Sequence, residues 1–589
     1  MAQPIRTLTA PSETPEFRYR AGKAMARGLS EGFQGSARTR IAKAFCAAML
    51  ASYWKSLCRI HGTAWRLKPA PASGGALSGS AVALASEIGE QLTWFPPEKA
   101  GYLAGSIYTV MLPDDVRTTS GAYYTPPALV GRLLDLAEAA GFDFSKDTAI
   151  DPACGGGAFL APVAVRMWRC GKTGSAELVL RRIAARLRGI EIDPFAAWMS
   201  QTLLEAALLP LCLKAGMRMP EIVTVGDALD RDELGRFDLV IGNPPYGRVT
   251  LDEGKREKYH RSLFGHANLY GLFTDLALRL CKEDGVVAYV TPTSFLGGQY
   301  FKSLRGLLAN QAKPVAIDFV ADREGVFDDV LQETLLAAYR RSNQDTPVAV
   351  STLTPHEDGG LDIQYIGRFS VEGEEPWLLP RSEEQARFFR WLRSMPTRLA
   401  DLGYAVSTGQ LVWNRHKRQL GAKPGRNTFP LIWAESVTTD GFRFSAQRRN
   451  HVPYIGVFPN QPHLLTRTPC VLVQRTTSKE QERRLVAATL PGGFVKKHGA
   501  VVIENHLNMV YKNSHATVGL ETIAAILNTE AADRTFRCIS GSVAVSAYEL
   551  NSLPLPSPEE MQALERLVRR GASREAIERH VARLYKTTT

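Results

Sequence analysis

Between residues 101 and 345 the sequence alternates in a way that few folds accommodate. Short β-like runs recur at "TAID" (148–151), "LRGIEID" (187–193), "IVTVGD" (222–227), "FDLVIGN" (237–243), "GVVAYVT" (285–291), "VAIDFV" (315–320) and "TLLAAYRR" (334–341). Helical stretches such as "PPALVGRLLDLAEAAG", "PFAAWMSQTLLEAALL" and "NLYGLFTDLALRLCKEDG" separate most of them. This alternation predicts an α/β fold with a mostly parallel, doubly wound sheet, because each crossover returns right-handed over the sheet. Ligands of such sheets sit beyond the carboxyl ends of the strands. That rule gathers Asp151, Glu191 with Asp193, Asp227 and Asn243 into one crevice.

The flanks read differently. Residues 1–100 form a helical extension in which "SARTRIAKAFCAAMLASYWKSLCRIHGTAW" carries apolar residues at helical spacing and "KPAPASGGALSGS" is a breaker-rich linker. The catalytic core is assigned to 101–345 and a connector to 346–395. Residues 396–589 then form a mixed α+β module of short strands and turns, closed by a helix that Ser557 caps. Charge is uneven: from Arg398 onward there are 26 Lys and Arg against 15 Asp and Glu, nearly all of the net +12. Such a module suits a polyanion partner, or is a solvated basic surface. No run approaches the roughly 18 apolar residues of a membrane span. The polar N-terminus lacks a secretory signal pattern, and the eight cysteines include no C-x-x-C pair. These features predict a cytoplasmic chain with no membrane contact, no metal and no disulfide framework.

Two motifs carry the chemistry. "AIDPACGGGAFLAPV" (149–163) is a strand, an acid, then three glycines opening a helix. Gly155, Gly156 and Gly157 admit a ligand close to the backbone, and the helix start offers free N–H groups; alternatively this is only a tight βα turn. Asp151 would repel phosphate but suits a cationic amine. Glu191 in "GIEIDP" suits two ribose hydroxyls, and Asp227 in "VGDAL" suits an exocyclic amine, although each alone is an ordinary strand-end acid. Together they fit a ligand with an ammonium, a ribose and an adenine but no phosphate, a description that S-adenosylmethionine meets. "FDLVIGNPPYGRV" (237–249) is the second motif. Pro244 and Pro245 lack N–H groups and fix φ, so the chain leaves the strand as a stiff loop carrying the amide of Asn243 and the ring of Tyr246.

With both motifs in this order, the sequence resembles the class I S-adenosylmethionine-dependent methyltransferases. Among these it is most similar to the type II restriction–modification N6-adenine DNA methyltransferases with an N-P-P-Y motif in the γ arrangement. "GAYYTPPALVGRLLDLA" (121–137), "GHANLYGLFTDLALRLCKEDGVVAYVTPTSFL" and "GVFDDVLQETLLAAYRR" extend the resemblance over about 115–345. It implies a seven-stranded Rossmann-like core with S-adenosylmethionine as methyl donor, contacted by Tyr124, Thr125, Asp151, Ala153, Gly155 and Glu191, with Asp227 on its adenine. Relatives often have an aromatic after that last acid; here Ala228 and Leu229 follow, so Pro245 or Leu229 is left to pack on the adenine. The resemblance further implies that the Asn243 side-chain oxygen and the Pro244 carbonyl accept both N6 hydrogens of an adenine flipped out of duplex DNA, with Tyr246 stacking on it. Phe327 is either a second aromatic against that base or a core residue. The last third resembles, through "VLVQRTTSKEQERRL", "ENHLNMV" and "SAYELNSLPLPSP", the target-recognition regions of such enzymes. Arg415, His416, Lys417, Arg475, Lys479, Arg483, Arg484, Lys496 and Lys497 are its candidate DNA contacts.

The implied partners are double-stranded DNA and a separately acting cognate restriction endonuclease. Methylation of a protein glutamine or of RNA, and a non-catalytic DNA-specificity scaffold, are the alternatives. A fused nuclease finds no acid/lysine constellation in residues 1–100, whose role is either to brace the core or to add DNA contacts.

Overall fold

Apolar runs that parallel sheets bury on both faces form the centre of the computed structural model, which describes residues 14–586 apart from 121–123, 172–173, 232–233, 322–332, 343–345, 357–359, 393, 476–482, 514 and 540–544. In chain order the main strands are β1 (Ala149–Asp151), β2 (Leu187–Glu191), β3 (Val223–Val225), β4 (Phe237–Gly242), β5 (Cys281–Pro292), β6 (Lys313–Val320), β7 (Thr334–Arg340), β8 (Val348–Pro355) and β9 (Leu361–Phe369). They lie in the order β9-β8-β6-β7-β5-β4-β1-β2-β3. Pairs β1–β2, β1–β4, β2–β3 and β4–β5 are parallel, and β7 runs antiparallel to both β5 and β6. Strand order reverses at β1, with β2 on one side and β4 on the other, which sets the switch point between the two motifs. The expected doubly wound, seven-stranded core is present, with β8 and β9 added at one edge.

The chain forms two compact units, one of Met1–Pro292, Leu307–Val348 and Leu353–Gln364, the other of Thr293–Gly306, Ala349–Thr352 and Tyr365–Thr589. In the first unit, helices Pro127–Ala139, Leu160–Cys170 and Pro194–Ala207 bury Leu133, Val163 and Leu204 against Ala149, Leu239 and Val286 of the sheet. Ahead of this core lie the helices Pro15–Glu31, Gly35–Ile60, Gly79–Leu92, Pro97–Met111 and Asp114–Ser120. They share an apolar cluster with Phe195, Met199, Leu203 and Leu209 of the core.

One expected helix is shorter than its pattern. The helix read through Gly285 ends at Leu280, and β5 begins at Cys281. Arg341 explains the stop: its guanidinium donates to the carbonyls of Leu278 (3.1 Å) and Cys281 (2.6 Å), replacing the donors a further turn would supply. Asp284 takes φ +61°, and the β4–β5 register shifts between Phe237 and Leu239. "CKEDG" is therefore an irregular strand entry, which a helical period cannot reveal.

The second unit holds a four-stranded sheet of Tyr404–Thr408, Leu507–Lys512, Val471–Gln474 and Ala487–Thr489, and a five-stranded sheet of short segments around Thr428–Ile432. Buried Arg305 stitches it together, donating to the carbonyls of Phe295, Gly298, Glu374 and Glu375 and to the Tyr548 hydroxyl. Ser557 caps helix Pro558–Arg569 through a reciprocal bond with Glu560. Among the described residues no single helix is long and apolar enough to cross a membrane.

Candidate functional site

The tips of β1, β2 and β4 and the turn after β3 open into one cavity of about 420 Å³. Of the residues predicted from sequence, Tyr124, Thr125, Asp151, Ala153, Gly155, Glu191, Asp227, Asn243 and Pro245 all line it. The glycine loop is shaped for close approach. Gly155 and Gly157 adopt φ +52° and +85°, and a Cβ added to Gly156 would collide with the Tyr124 hydroxyl.

Four acidic residues line the cavity, Asp193 and three whose carboxylates stand in different states. Asp151 is 1% exposed, accepts one bond from the Ala153 N–H (3.1 Å), and has no ion-pair partner among the described residues. Burial, with a lesser contribution from Glu191, pushes its carboxyl up to about 8. Its seat needs a glycine opposite: a Cβ on Gly242 would fall 2.7 Å from Asp151 Oδ1. Glu191 accepts the Gly155 N–H on Oε2 and the Asp193 N–H on Oε1, both at 2.9 Å, while burial raises its carboxyl above the usual range. Each of its oxygens keeps a lone pair for a hydroxyl donor. Asp227 caps the short turn Ala228–Asp230 through the Leu229 N–H (2.9 Å) and pairs with Lys255 (3.1 Å), which also reaches Asp230 (3.0 Å).

The amide of Asn243 is held at both ends. Its Nδ2 donates to Thr125 Oγ1 at 3.2 Å, and the Tyr246 hydroxyl donates to its Oδ1 at 2.7 Å, with the Val290 carbonyl as a longer second acceptor at 3.3 Å. In this arrangement Oδ1 faces the Tyr246 hydroxyl and Nδ2 faces Thr125. An amide oxygen has two acceptor positions, so one remains after Tyr246 has taken the other. The Tyr246 ring packs edge-to-face on Tyr270, centroids 6.1 Å apart. Pro244 is buried and Tyr246 half-buried beside the cavity.

Sequence reasoning missed several walls. Ile192 lines the cavity while 61% exposed, an apolar surface left open toward it, and Phe273 and Leu269 enter from helix Leu269–Leu280. Their positions one residue after Glu191, and four apart on a helix, were the available signals. Thr39, Lys43, Tyr108, Leu112 and Val116 come from the N-terminal helices, for which no local signal existed. Phe327 and Lys479 lie outside the described residues. Among the described residues no group of three or more His, Cys, Asp or Glu side chains could hold a metal ion.

In the second unit the candidate arginines and lysines separate into two groups. Arg415 and Lys417 are exposed on consecutive short turns, Trp413–Arg415 and Lys417–Gln419, with the Lys417 ammonium 5.7 Å from the Trp413 ring. His416 Nδ1 bonds Gln419 (2.8 Å), whose amide donates to the Gly456 carbonyl and to Gln461 (both 2.7 Å), so the turns are braced from behind. Lys496 and Lys497 are exposed at the end of helix Gly492–His498. Arg483, by contrast, is bound to the Asn528 carbonyl and to Glu578 (3.1 Å), and Arg475 donates to the Asn505 carbonyl (3.3 Å). The backbone N–H of Arg484 donates to Asp533 (2.6 Å).

The chain is similar to known proteins. Residues 214–327 match the Eco57I restriction-modification methylase family. The chain is 26% identical over 351 residues to the type II methyltransferase M.BsuBI of Bacillus subtilis, covering 56% of this chain and 68% of that protein. It is likewise 26% identical over 344 residues to M.PstI of Providencia stuartii, covering 56% and 66%. The matches thus span about two thirds of these relatives. Among solved structures, the type IIL restriction-modification enzyme MmeI, determined in complex with DNA, shares the fold with a TM-score of 0.52 at 13% identity, covering 98% of this chain and 92% of that one.

Proposed function

Taking the chain as a relative of the restriction–modification methyltransferases, we propose that it is a site-specific DNA adenine N6-methyltransferase using S-adenosylmethionine. We propose further that it protects host DNA alongside a separate endonuclease. The observation that carries the reading is the doubly held amide of Asn243, in the wall of the same cavity as Asp151 and Glu191.

The cavity's donor set fits that cofactor. A buried carboxylate that meets no counter-ion among the described residues suits an ammonium and disfavours phosphate. Glu191, with both oxygens oriented by backbone N–H groups, suits vicinal hydroxyls. Asp227 faces an exocyclic amine, and Ile192, Leu229 and Pro245 supply apolar surface for a ring. When bound, S-adenosylmethionine supplies a methyl group activated by its sulfonium.

The remaining work falls to the chain. Adenine N6 is a poor nucleophile because its lone pair is delocalised into the ring. The free acceptor position of Asn243 Oδ1, with the Pro244 carbonyl, takes the N6 hydrogens and favours a pyramidal nitrogen whose lone pair faces the cavity. The contribution is positional and dipolar, and needs no strong base. Thr125 and Tyr246 make the acceptor ready before the base arrives, and the prolines keep the loop from relaxing. Reaching N6 requires the base to leave the duplex. The relationship to type II methyltransferases, and to an enzyme determined with DNA, supports DNA as substrate.

The test is transfer of labelled methyl from S-adenosylmethionine to a mixture of duplex DNA, RNA and bacterial protein. The expected product is N6-methyladenine in digested DNA. Label confined to RNA or to protein glutamine would overturn the reading.

A further inference from the structure

The N-terminal helices do more than cover the core. Asp193, at the exit of β2, is bound from two of them: Lys43 Nζ, on helix Gly35–Ile60, lies 2.8 Å from Oδ1, and the Tyr108 hydroxyl, on helix Pro97–Met111, donates to Oδ2 at 3.0 Å. Oδ1 also accepts the Phe195 N–H (3.0 Å), which caps helix Pro194–Ala207. The backbone N–H of Asp193 in turn holds Glu191 Oε1, and Glu191 Oε2 holds the glycine loop at Gly155. A continuous path of hydrogen bonds therefore runs from the N-terminal helices to the carboxylate that faces the cavity.

Electrostatics adds to the connection. Asp151 is buried and Glu191 half-buried, and the charge of Asp193 works against ionisation of Glu191. Lys43 neutralises Asp193 at contact distance, on side chains about three-quarters buried, where an ion pair is weakly screened. Burial and Asp193 keep the Tyr108 phenol protonated, so it donates to Asp193. The helices cannot shift away at low cost. Tyr108 and Leu203 belong to one apolar cluster, the Trp198 indole donates to the Lys68 carbonyl (3.0 Å), and Arg218 donates to the Arg66 carbonyl (2.7 Å).

We propose that the N-terminal helices are a constitutive wall of the cofactor site, and that Lys43, assisted by Tyr108, is a positioning residue that fixes Glu191 through Asp193. The ligand identity rests on the function proposed above; the positioning itself does not.

The test uses the full chain in two arms. In the ligand-free chain, amide exchange at Asp193 and Phe195 should accelerate in Lys43→Met relative to wild type. By calorimetry with S-adenosylmethionine, Lys43→Met should weaken binding about tenfold and Tyr108→Phe about threefold, the loss of a charged and a neutral bond respectively. Lys43→Arg should restore most of the affinity. In an Asp193→Asn background, Lys43→Met should add little, because the two act as one unit. KM for S-adenosylmethionine should rise while KM for DNA stays within about twofold, a split that general loosening of the fold does not produce. Lys43→Gln serves if Lys43→Met fails to fold. Unchanged exchange with unchanged affinity, or fully additive losses in the double variant, would overturn the proposal. A wild-type chain that binds no S-adenosylmethionine would sink the proposed function, and the exchange arm would still decide the positioning role.

Discussion

The cavity of the first unit and the exposed cations of the second differ in how their polar side chains are held. Around the cavity, Asn243, Glu191, Asp193 and Asp227 are each held by two or more partners before any ligand is present. On the second unit, Arg415 and Lys417 extend into solvent from braced turns, while Arg483 is bound to Glu578 and a carbonyl. Fixed partners suit one reacting atom, where a misplacement of about 1 Å costs orders of magnitude in rate. Exposed cations suit the phosphates of a polyanion, which are met without one fixed geometry. Pairing, rather than charge, separates the held side chains of Asn243, Glu191 and Arg483 from the exposed ones of Arg415 and Lys417.

The comparison is broken most directly at Asn243. Asn243→Ala should lower the methyl-transfer rate by about 100- to 1000-fold, the usual loss for one preorganised transition-state contact, with S-adenosylmethionine affinity retained. Single-turnover kinetics with calorimetry measures both. Collapse of cofactor affinity would place the amide in the cofactor site instead. A smaller effect isolates the preorganisation itself. Tyr246→Phe keeps the ring against Tyr270 but removes the hydroxyl on Asn243 Oδ1, and should cost about tenfold in rate with little change in DNA affinity.

The buried carboxylate of Asp151 sets a pH dependence. Burial holds Asp151 at about 8 in the folded chain, against about 3.9 when unfolded. The folded state therefore binds this proton more tightly, so the group's stabilising contribution is complete below about pH 4 and is lost as pH rises toward 8. A cationic ligand lowers the same pKa, so S-adenosylmethionine binding near pH 7 should release up to about one proton. Calorimetry in buffers of different ionisation enthalpy reads this, and Asp151→Asn should abolish it. The smallest effects lie on the second unit. Arg415→Ala should reduce the salt slope of DNA binding by about one. Arg483→Ala should leave that slope unchanged and lower the melting temperature by about 3 °C, through loss of a half-buried pair. Equal slopes for both variants would mean that pairing does not sort these residues.

Much of the cavity was legible in the sequence because its residues sit at strand ends. Asp151, Glu191 and Asn243 each follow an apolar run directly, and the fold rule converts that position into a location. What the sequence hid depends on contacts between distant segments. Lys43 meets Asp193 across 150 positions, and no periodicity in "SARTRIAKAF" distinguishes Lys43 from a solvated lysine. Arg341 ends a helix from 60 residues away by taking the Cys281 carbonyl. Charge counting failed to distinguish Arg483 from Arg415 for the same reason, since Glu578 lies 95 positions from its partner.

The central claim is that a doubly held amide directs methyl transfer to adenine N6. The most direct test is methylation mapping of genomic DNA from a host expressing the wild-type chain or Asn243→Ala. Methylated adenines in one recurrent sequence context with the wild type, absent with the variant, are the predicted result. An identical adenine pattern from both chains would contradict it.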